Sequence, residues 1–282
     1  MWTVDLVSLH VALRRRLARL RRSDGGFPMS LDGPSEVEAT VVAALALNDA
    51  VATRWVRSRQ RIDGGFDELD RRPSSPASAS LASLALSGGP SRSALDFVLA
   101  QRQRLLPGAT APNDHLGWGW ASNPADARAF VEPTARALTA VKALAPENAS
   151  ARSEAVRVLT RLQCADGGWN YGTASVNAVD LRGYAQTTAM ALIGLQGERT
   201  ALGASGLRFL RRSFPVEPGG LTTAQSLLAF RLHGDRDSAR AAADALEAIA
   251  RRRSFLDRPV AVAWAVLATG SDGLIEPLRW RP

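Results

Sequence analysis

The chain contains very little cysteine and lysine. Cys164 is its single cysteine, which excludes an internal disulfide and a cysteine-rich zinc site and favours a reducing, cytoplasmic compartment. Lys142 is its only lysine, so arginine carries nearly all of the positive charge behind a net charge of +8. The sequence also lacks a long apolar run and a basic start followed by an apolar stretch. We therefore expect neither a membrane span nor a signal peptide.

The motifs of several enzyme classes are missing as well. There is no Gly-x-Ser-x-Gly, no phosphate-binding loop and no dinucleotide fingerprint, so we expect no organic cofactor. The residue types that ligate zinc share no local spacing and fall on separate segments: His10, His115, Cys164 and His233. The acidic stretch 67–70 matches a magnesium-binding motif poorly. We predict no metal site, although the sequence leaves a divalent ion open.

What the sequence does contain is a regular alternation of two helix types. One type is amphipathic and rich in arginine. It begins with the leucines of residues 6–20 and is expected again at 50–61, 92–106, 150–163, 202–212 and 237–252. The other type is apolar on nearly all sides and must be covered on all of them. Its predicted members are Val37–Leu47, Ala77–Leu86, Thr134–Leu144, Thr187–Leu195, Thr222–Leu232 and Val260–Leu267.

This alternation predicts an all-α fold, an (α/α)6 toroid of six helical hairpins. The apolar helices would form an inner ring, and the amphipathic helices would wrap it. We assign residues 1–282 to a single domain, with a core of about 5–270 and a tail at 271–282. An open solenoid is the alternative. The long connections precede the inner helices, so they would gather on one face, where function usually lies.

One phrase, Asp-Gly-Gly-aromatic, occurs three times and supports a repeat architecture. It ends the segments Arg21–Phe27, Gln60–Phe66 and Gln163–Trp169. Glycine suits a left-handed helix cap, and the aspartate side chain can accept a hydrogen bond from the backbone of its own turn. We predict a structural role for the repeated aspartates and packing between hairpins for the aromatic residues.

The segment Gln163-x-x-Asp166-Gly167-Gly168-Trp169 resembles the repeat of the terpenoid-cyclase and protein-prenyltransferase superfamily, which includes squalene-hopene cyclase. The resemblance covers about residues 5–270. Segments 117–134 and 168–188 are also similar to small bacterial proteins with prenyltransferase/squalene-oxidase repeats. The resemblance implies a central cavity for an apolar prenyl or polyene substrate.

The catalytic signatures of that superfamily are not present. The sequence has no Asp-x-Asp-Asp acid motif, no Asp-Asp-x-x-Asp magnesium motif and no matching set of zinc ligands. Fold resemblance does not carry function, so the resemblance implies no particular reaction.

Two acids are the first candidates for catalysis. Glu132 precedes Pro133, which suits the first position of a helix. There Glu132 would either cap the helix or act as a base or cation stabiliser at the cavity mouth. Asp180 lies in a long loop before Tyr184. It would either donate a proton from apolar surroundings that raise its pKa, or form an ion pair with Arg182.

A third catalytic candidate, Glu36, opens the first inner helix together with Glu38. Ser35 before them predicts a capping box completed by Glu38, three residues on. That box would give Glu38 a structural role and leave Glu36 available for chemistry.

Aromatic residues are only 6% of the chain, yet they cluster in or beside the two longest loops. Their rings could stabilise carbocations, stack on sugars or fill gaps between hairpins, as the repeat predicts for Trp169. The predicted substrate-binding residues are Trp118, Trp120, Phe130, Trp169, Tyr171 and Tyr184.

Three functions remain open at this point. The first is a terpenoid-cyclase-like protein that binds an apolar substrate and starts cyclisation with an acid. The second is a non-catalytic toroid that binds a lipid or a protein. The third is a carbohydrate-active enzyme of the same fold, in which Glu132 pairs with Glu36 or Asp180.

The basic run 14–22 could contact a partner protein or an anionic membrane surface, or could be a solvated helix face. No arginine–aromatic pattern of a nucleic-acid module accompanies it, so we expect no nucleic-acid partner.

Overall fold

The structure is a computed structural model, which describes residues 6–67, 73–104, 116–120, 129–198, 200–217, 219–252 and 258–280. In these ranges nearly all regular structure is helical. The outer helices are α1 (Leu6–Arg19), α3 (Ala50–Ser58), α5 (Gly88–Ala100), α7 (Ala149–Arg161), α9 (Ala201–Ser213) and α11 (Arg236–Arg251). The inner helices are α2 (Val37–Leu47), α4 (Pro76–Ala85), α6 (Val131–Leu144), α8 (Ala185–Leu195), α10 (Gly220–Leu232) and α12 (Pro259–Thr269).

Two short antiparallel strand pairs interrupt the helices. Strand β1 (Gln103–Arg104) pairs with β2 (Leu116–Gly117), with Gln103 opposite Gly117. Strand β3 (Ser175–Val176) pairs with β4 (Val179–Asp180), with Ser175 opposite Asp180. A short helix α13 (Asp272–Ile275) and a 3-10 turn (Glu276–Leu278) follow the last inner helix.

The inner helices form a closed ring. Each of them packs against the next one along the chain, and α12 packs against α2. The last contact requires the chain to return to its start, which an open solenoid would not do. The predicted all-α toroid is therefore confirmed, and the open solenoid is wrong.

Contact between the first and last helices of the double layer, α1 and α12, closes the outer layer. Each outer helix packs behind the inner helix that precedes it, as α3 does on α2 and α11 on α10. Helix α1, the first of the described helices, packs on α12 instead, and there His10 Nδ1 and Thr269 Oγ1 are 3.2 Å apart. The first and last helices of the double layer thus cover each other.

The apolar composition of the inner helices explains why they are buried. Every residue of α12 is buried, and small residues allow close helix approach. A Cβ on Gly194 of α8 would lie only 2.7 Å from the carbonyl oxygen of Ala135 of α6. Larger side chains at this contact would push the ring apart.

The repeated turn has the structural role that the sequence predicts. In each copy the aspartate Oδ1 accepts the N–H of the second glycine at 2.9 Å: Asp24–Gly26, Asp63–Gly65 and Asp166–Gly168. The first glycine of each pair is left-handed, with φ of +93°, +85° and +90° at Gly25, Gly64 and Gly167. The aromatic residues that follow are fully buried: Phe27, Phe66 and Trp169. These turns lie where the inner helices begin, at the end of the ring that we call the rim.

The opposite end of the ring is covered by the C-terminal segment 272–280, and we call it the closed end. The 3-10 turn lies after α12 and reaches across to α4 and α6. Gln196 Nε2 donates to the carbonyl of Leu278, and Gln196 Oε1 accepts the N–H of Trp280 at 3.2 Å. Among the described helices, none is both long enough and apolar enough to cross a bilayer.

Candidate site at the centre of the ring

Helix α6 presents a charged pair to the interior of the ring. Glu132 and Arg136 are the second and sixth residues of α6, one turn apart, so they share a face of the helix. Arg136 Nη2 donates to Glu132 Oε1 at 2.6 Å and to Glu38 Oε1 at 2.6 Å. Glu38 belongs to α2, and α4 separates α2 from α6 in the ring. The contact between Arg136 and Glu38 therefore spans the interior.

The guanidinium of this cluster is deeply buried, whereas its carboxylates reach towards water. The Arg136 side chain is 2% exposed, against 21% for Glu38 and 13% for Glu132. Burial alone would lower the pKa of Arg136, but the charges and hydrogen bonds of Glu38 and Glu132 outweigh it and raise that pKa. The ring of Trp120 lies 5.5 Å from the Arg136 guanidinium carbon and adds a cation–π contact. We call Glu38, Glu132 and Arg136 the central triad.

Hydrogen-bonding groups without a partner lie at the level of Arg136. The Nε and Nη1 atoms of Arg136, the Oε1 of Gln225 and the Nε1 of Trp264 are buried and have no hydrogen-bond partner among the described residues. Gln225 and Trp264 are each 1% exposed. Each of the three residues is the sixth residue of its inner helix, α6, α10 or α12.

The side chains of Gln225 and Trp264 face the interior. Five residues after Gln225, Phe230 packs edge-on against Phe214 at the end of the outer helix α9. Five residues after Trp264, Thr269 bonds His10 of the outer helix α1. Five residues turn an α-helix by about 140° beyond a full circle, so Gln225 and Trp264 point away from the outer layer.

The same helical positions define two layers inside the ring. The sixth-position layer contains Arg136, Gln225 and Trp264 together with the apolar Val42, Leu81 and Met190. The ninth-position layer, one turn closer to the closed end, is almost wholly apolar. Its members are Leu45, Leu84, Thr139, Ile193, Leu228 and Leu267. The interior is therefore charged at the rim, mixed in the middle and apolar beneath.

Some of the candidates from the sequence come together here. Glu132 is in the central triad, and Trp120 lies over Arg136. Phe130 is the N-cap residue of α6, and its ring packs so closely on Gly172 that a Cβ there would lie 2.9 Å away. Glu36 is the half-buried N-cap residue of α2, beside the triad in sequence but outside the contacts that define it.

Two predicted binding residues, Trp118 and Trp169, point into the outer layer. Both are fully buried. The indole Nε1 of Trp118 donates to the carbonyl of Val98 in α5, and that of Trp169 donates to Leu159 in α7, each at 2.7 Å. Both tryptophans pack between hairpins, which corresponds to the gap-filling role and leaves them apart from the central triad.

Asp180 and two tyrosines lie on the exposed β3–β4 hairpin and beside it. Asp180 is exposed, so the apolar surroundings expected around it are wrong. Tyr171, which is 65% exposed, has its ring 5.5 Å from the ring of Tyr184. The Arg182 guanidinium lies 5.2 Å from the Tyr184 ring. This loop is a separate aromatic group at the rim.

Two expectations about helix starts need correction. Helix α6 begins at Val131 with Phe130 as its N-cap, so Glu132 is the second residue of the helix and not the residue before its start; proline is tolerated throughout the first turn, where N–H groups have no intrahelical partner. The capping box of Ser35 and Glu38 is also wrong. Ser35 Oγ donates to Asp24 instead, which leaves the Glu38 carboxylate to meet Arg136.

Sequence reasoning missed Glu38, Arg136, Gln225 and Trp264 as site residues. The spacing Glu-x-x-x-Arg within an otherwise apolar helix indicates that Glu132 and Arg136 form a buried pair, so this signal is present in the sequence. His115, one of the residues considered for zinc, lies outside the described residues. Within the described ranges, no three His, Cys, Asp or Glu side chains gather as a metal site would require.

The basic run of α1 is partly occupied by contacts within the protein. Arg14 donates to the carbonyls of Ala46 and Leu47 at the end of α2, at 3.1 and 2.6 Å. Arg21 pairs with Asp49 at 2.8 Å. These contacts give at least two of the arginines a structural role at the closed end of α2.

Known structures share this ring. A protein from Actinoplanes is 19% identical over 85% of this chain and 80% of its own, with a TM-score of 0.58. A variant of the type II terpene cyclase MstE from Scytonema, bound to its product merosterolic acid A, is 15% identical over 97% and 98%, with a TM-score of 0.59. A glycosidase variant is 13% identical over 97% and 95%, with a TM-score of 0.57.

No protein family and no curated protein matches the sequence. At the identities above, the structural likeness establishes the fold alone. The chain has the all-α ring fold that a terpene cyclase and a glycosidase also have.

Proposed function

We propose that the chain is a terpene-cyclase-like protein that binds an apolar prenyl or polyene molecule inside the ring. The observation that carries this proposal is the distribution of polarity in the interior. A ninth-position layer lined by leucine and isoleucine lies below a single buried guanidinium held by two carboxylates. Such an interior suits a long hydrocarbon with one polar or charged centre near the rim.

The triad is suited to stabilise positive charge rather than to donate a proton. Glu38 and Glu132 each accept a hydrogen bond from Arg136 through Oε1, so both carboxylates act here as acceptors that face a cation. The three charges sum to −1, so the triad places a net negative charge on the rim side of the apolar ninth-position layer. Trp120 beside Arg136 offers an aromatic face for the same purpose.

The structural comparisons support this proposal at the level of the fold. MstE, whose ring matches this one, is a type II terpene cyclase that has been solved with geranylgeranyl dihydroxybenzoate bound as its substrate. A protein with this fold therefore provides a precedent for binding a prenylated molecule.

A second function, glycoside hydrolysis, is favoured by one observation. The Oε1 atoms of Glu38 and Glu132 both lie 2.6 Å from one nitrogen, so they are no more than about 5 Å apart, close to the separation in retaining glycosidases. The guanidinium between them argues against it, because one of the two acids must be protonated to assist the leaving group.

The test is a binding and turnover assay with prenyl and polyene compounds. Purified protein is incubated with farnesol, geranylgeraniol, farnesyl diphosphate and squalene, and with chromogenic glycosides as the competing substrate class. Bound compound is measured by equilibrium dialysis and products by mass spectrometry. We expect binding of prenyl compounds in the micromolar range and no glycoside hydrolysis.

Two variants test whether binding and turnover depend on the triad or on the exposed hairpin. Glu132→Gln removes a charge in the triad, and Asp180→Asn makes the same change on the exposed hairpin. We expect a loss of at least about tenfold in binding or turnover for Glu132→Gln and no change for Asp180→Asn. Sugar release that Glu132→Gln abolishes would replace our proposal with the glycosidase function. Absence of binding for every compound would refute a prenyl site.

A further inference from the structure

We infer that the sixth-position layer binds an uncharged oxygen of the ligand, so that the natural molecule is a prenyl or polyene alcohol or carbonyl compound. This inference rests on the proposed function and specifies the substrate class. It stands on the donors of Arg136 and Trp264 and the amide oxygen of Gln225, which have no hydrogen-bond partner in the part of the chain that the structure describes.

The three side chains converge on one region. Helices α6 and α12 are three places apart in the ring of inner helices, so Arg136 and Trp264 face each other across the interior. Gln225 is on α10, which is the neighbour of α12. All three occupy the same position along their helices and therefore the same depth.

Leaving these groups unbonded is costly. A buried donor without an acceptor loses its hydrogen bonds to water and gains nothing in return. A hydroxyl or carbonyl oxygen offers the lone pairs that the N–H groups of Arg136 and Trp264 need, and a hydroxyl can also donate to Gln225 Oε1. A plain hydrocarbon in the same place would leave every one of these groups unpaired.

A charged head group fits less well. The central triad carries two carboxylates and one guanidinium, so its net charge repels an anion such as a diphosphate. The described residues also lack a cluster of acids that could hold a metal ion for diphosphate binding. The ninth-position layer then receives the hydrocarbon chain, because its leucine and isoleucine side chains offer no hydrogen bonds.

The experiment compares three probes with the same carbon skeleton: farnesol, farnesene and farnesyl diphosphate. Their dissociation constants are measured by equilibrium dialysis on the full chain. We expect farnesol to bind at least about tenfold more tightly than farnesene, because a site built for hydrogen bonding rejects an analogue that lacks the polar group. Farnesyl diphosphate should bind more weakly than farnesol.

Two variants in the layer and one matched control locate the effect. Trp264→Phe keeps an aromatic ring but removes its N–H, and Gln225→Leu removes the amide. Trp55→Phe makes the matching change on the outer helix α3, outside the interior, where the Trp55 indole N–H bonds Asp24. We expect the first two to weaken farnesol binding about five- to tenfold and to leave farnesene binding unchanged. The control should change neither, and circular dichroism verifies that each variant folds.

The possible results separate the two proposals. Equal affinity of farnesol and farnesene for the wild-type chain, or an equal loss of both in Trp264→Phe and Gln225→Leu, would overturn the inference while prenyl binding itself stands. Failure of all three probes to bind would overturn the proposed function and the inference with it.

Discussion

The two ends of the ring each bury one cation, and the two cations are bonded differently. At the closed end, Lys142 Nζ donates to the carbonyls of Gly194 and Gln196 at 2.9 and 2.6 Å and pairs with Glu198 at 3.1 Å. Near the rim, Arg136 bonds two carboxylates through a single nitrogen, and its Nε and Nη1 have no partner among the described residues.

This difference separates a structural cation from one available to a ligand. Lys142 donates to two carbonyls where α8 ends, a favourable place for positive charge, and forms an ion pair with Glu198. Arg136 keeps N–H groups that have no acceptor among the described residues, and these groups lie inside the ring. We expect changes at Lys142 to alter stability and changes around Arg136 to alter binding as well.

The largest effect should follow from removing both acids of the triad. Glu38→Gln combined with Glu132→Gln leaves Arg136 buried without a counter-charge, and we expect the free energy of unfolding to fall by about 3–5 kcal/mol. Urea denaturation measures it. Adding Arg136→Met to the same background removes the buried charge and should recover most of the loss. A double variant as stable as the wild-type chain would show that Arg136 does not depend on these acids.

A pH titration should show the energetic cost of burying Lys142. Burial lowers the pKa of Lys142 from 10.5 to about 8, with Glu198 acting in the opposite direction. Between pH 8 and 10.5 the unfolded chain binds more protons than the folded chain, so stability should rise with pH by about 3 kcal/mol. The measurement is the free energy of unfolding at pH 7.5, 9 and 10.5, in the wild-type chain and in Lys142→Met.

The difference between those two pH profiles isolates Lys142. Other groups contribute equally to both chains and cancel. Cys164 is one of them: burial raises the pKa of its thiol, so on its own it would lower stability as the pH rises through the unfolded thiol pKa. Two parallel profiles would contradict the account of the closed end.

The turns at the two ends should differ in a smaller way. Gly64 at the rim has a φ of +85°, and a Cβ there would lie 2.4 Å from the carbonyl oxygen of Ser93. Gly234, after α10 at the closed end, has a φ of +70° and open space around it. We expect Gly64→Ala to cost about 3 kcal/mol and Gly234→Ala about 1 kcal/mol, because only the first adds a clash to the backbone strain. Thermal denaturation of the two variants measures the difference. An equal loss of stability in both would show that the turn at Gly64 moves easily to accommodate the added methyl group.

The smallest effect concerns two buried tryptophans. Trp169 Nε1 bonds the carbonyl of Leu159, whereas Trp264 Nε1 has no hydrogen-bond partner within the described ranges. The change to phenylalanine removes similar volume in both, so Trp169→Phe should cost about 1–2 kcal/mol more than Trp264→Phe, which is the worth of the lost hydrogen bond and the carbonyl left unpaired. Urea denaturation of both variants checks this, and a greater loss for Trp264→Phe would mean that its N–H already contributes to the fold.

The sequence predicts the fold well because the fold is built from local patterns. Helix α2 has the bounds Val37–Leu47 that its apolar run predicts. The repeated Asp-Gly-Gly turns, with their left-handed glycines, have the structure expected from glycine and aspartate chemistry. The apolar run predicts that α6 starts at Thr134, whereas the helix begins at Val131, because a proline in the first turn can occupy more than one position.

The site is less predictable because its residues meet only through ring closure. Glu38 and Arg136 are 98 positions apart, and nothing in the local sequence of either indicates the other. Glu38 follows Ser35 at the spacing of a capping box, so the local sequence predicts a helix cap for Glu38 and not a contact with Arg136. Asp180 belongs to a long loop whose composition suggests a catalytic role, but the β3–β4 hairpin that carries Asp180 is exposed to solvent. Local motifs predict local bonds, whereas the polarity of the interior depends on which helices face each other.

The most direct test of the account is a crystal structure of the chain with farnesol bound. The account predicts the isoprenoid chain inside the ring, with its carbons against the ninth-position layer and its hydroxyl oxygen within about 3 Å of Trp264 Nε1 or a free nitrogen of Arg136. Farnesol bound only outside the ring, with ordered water filling the positions around Arg136, Gln225 and Trp264, would contradict it.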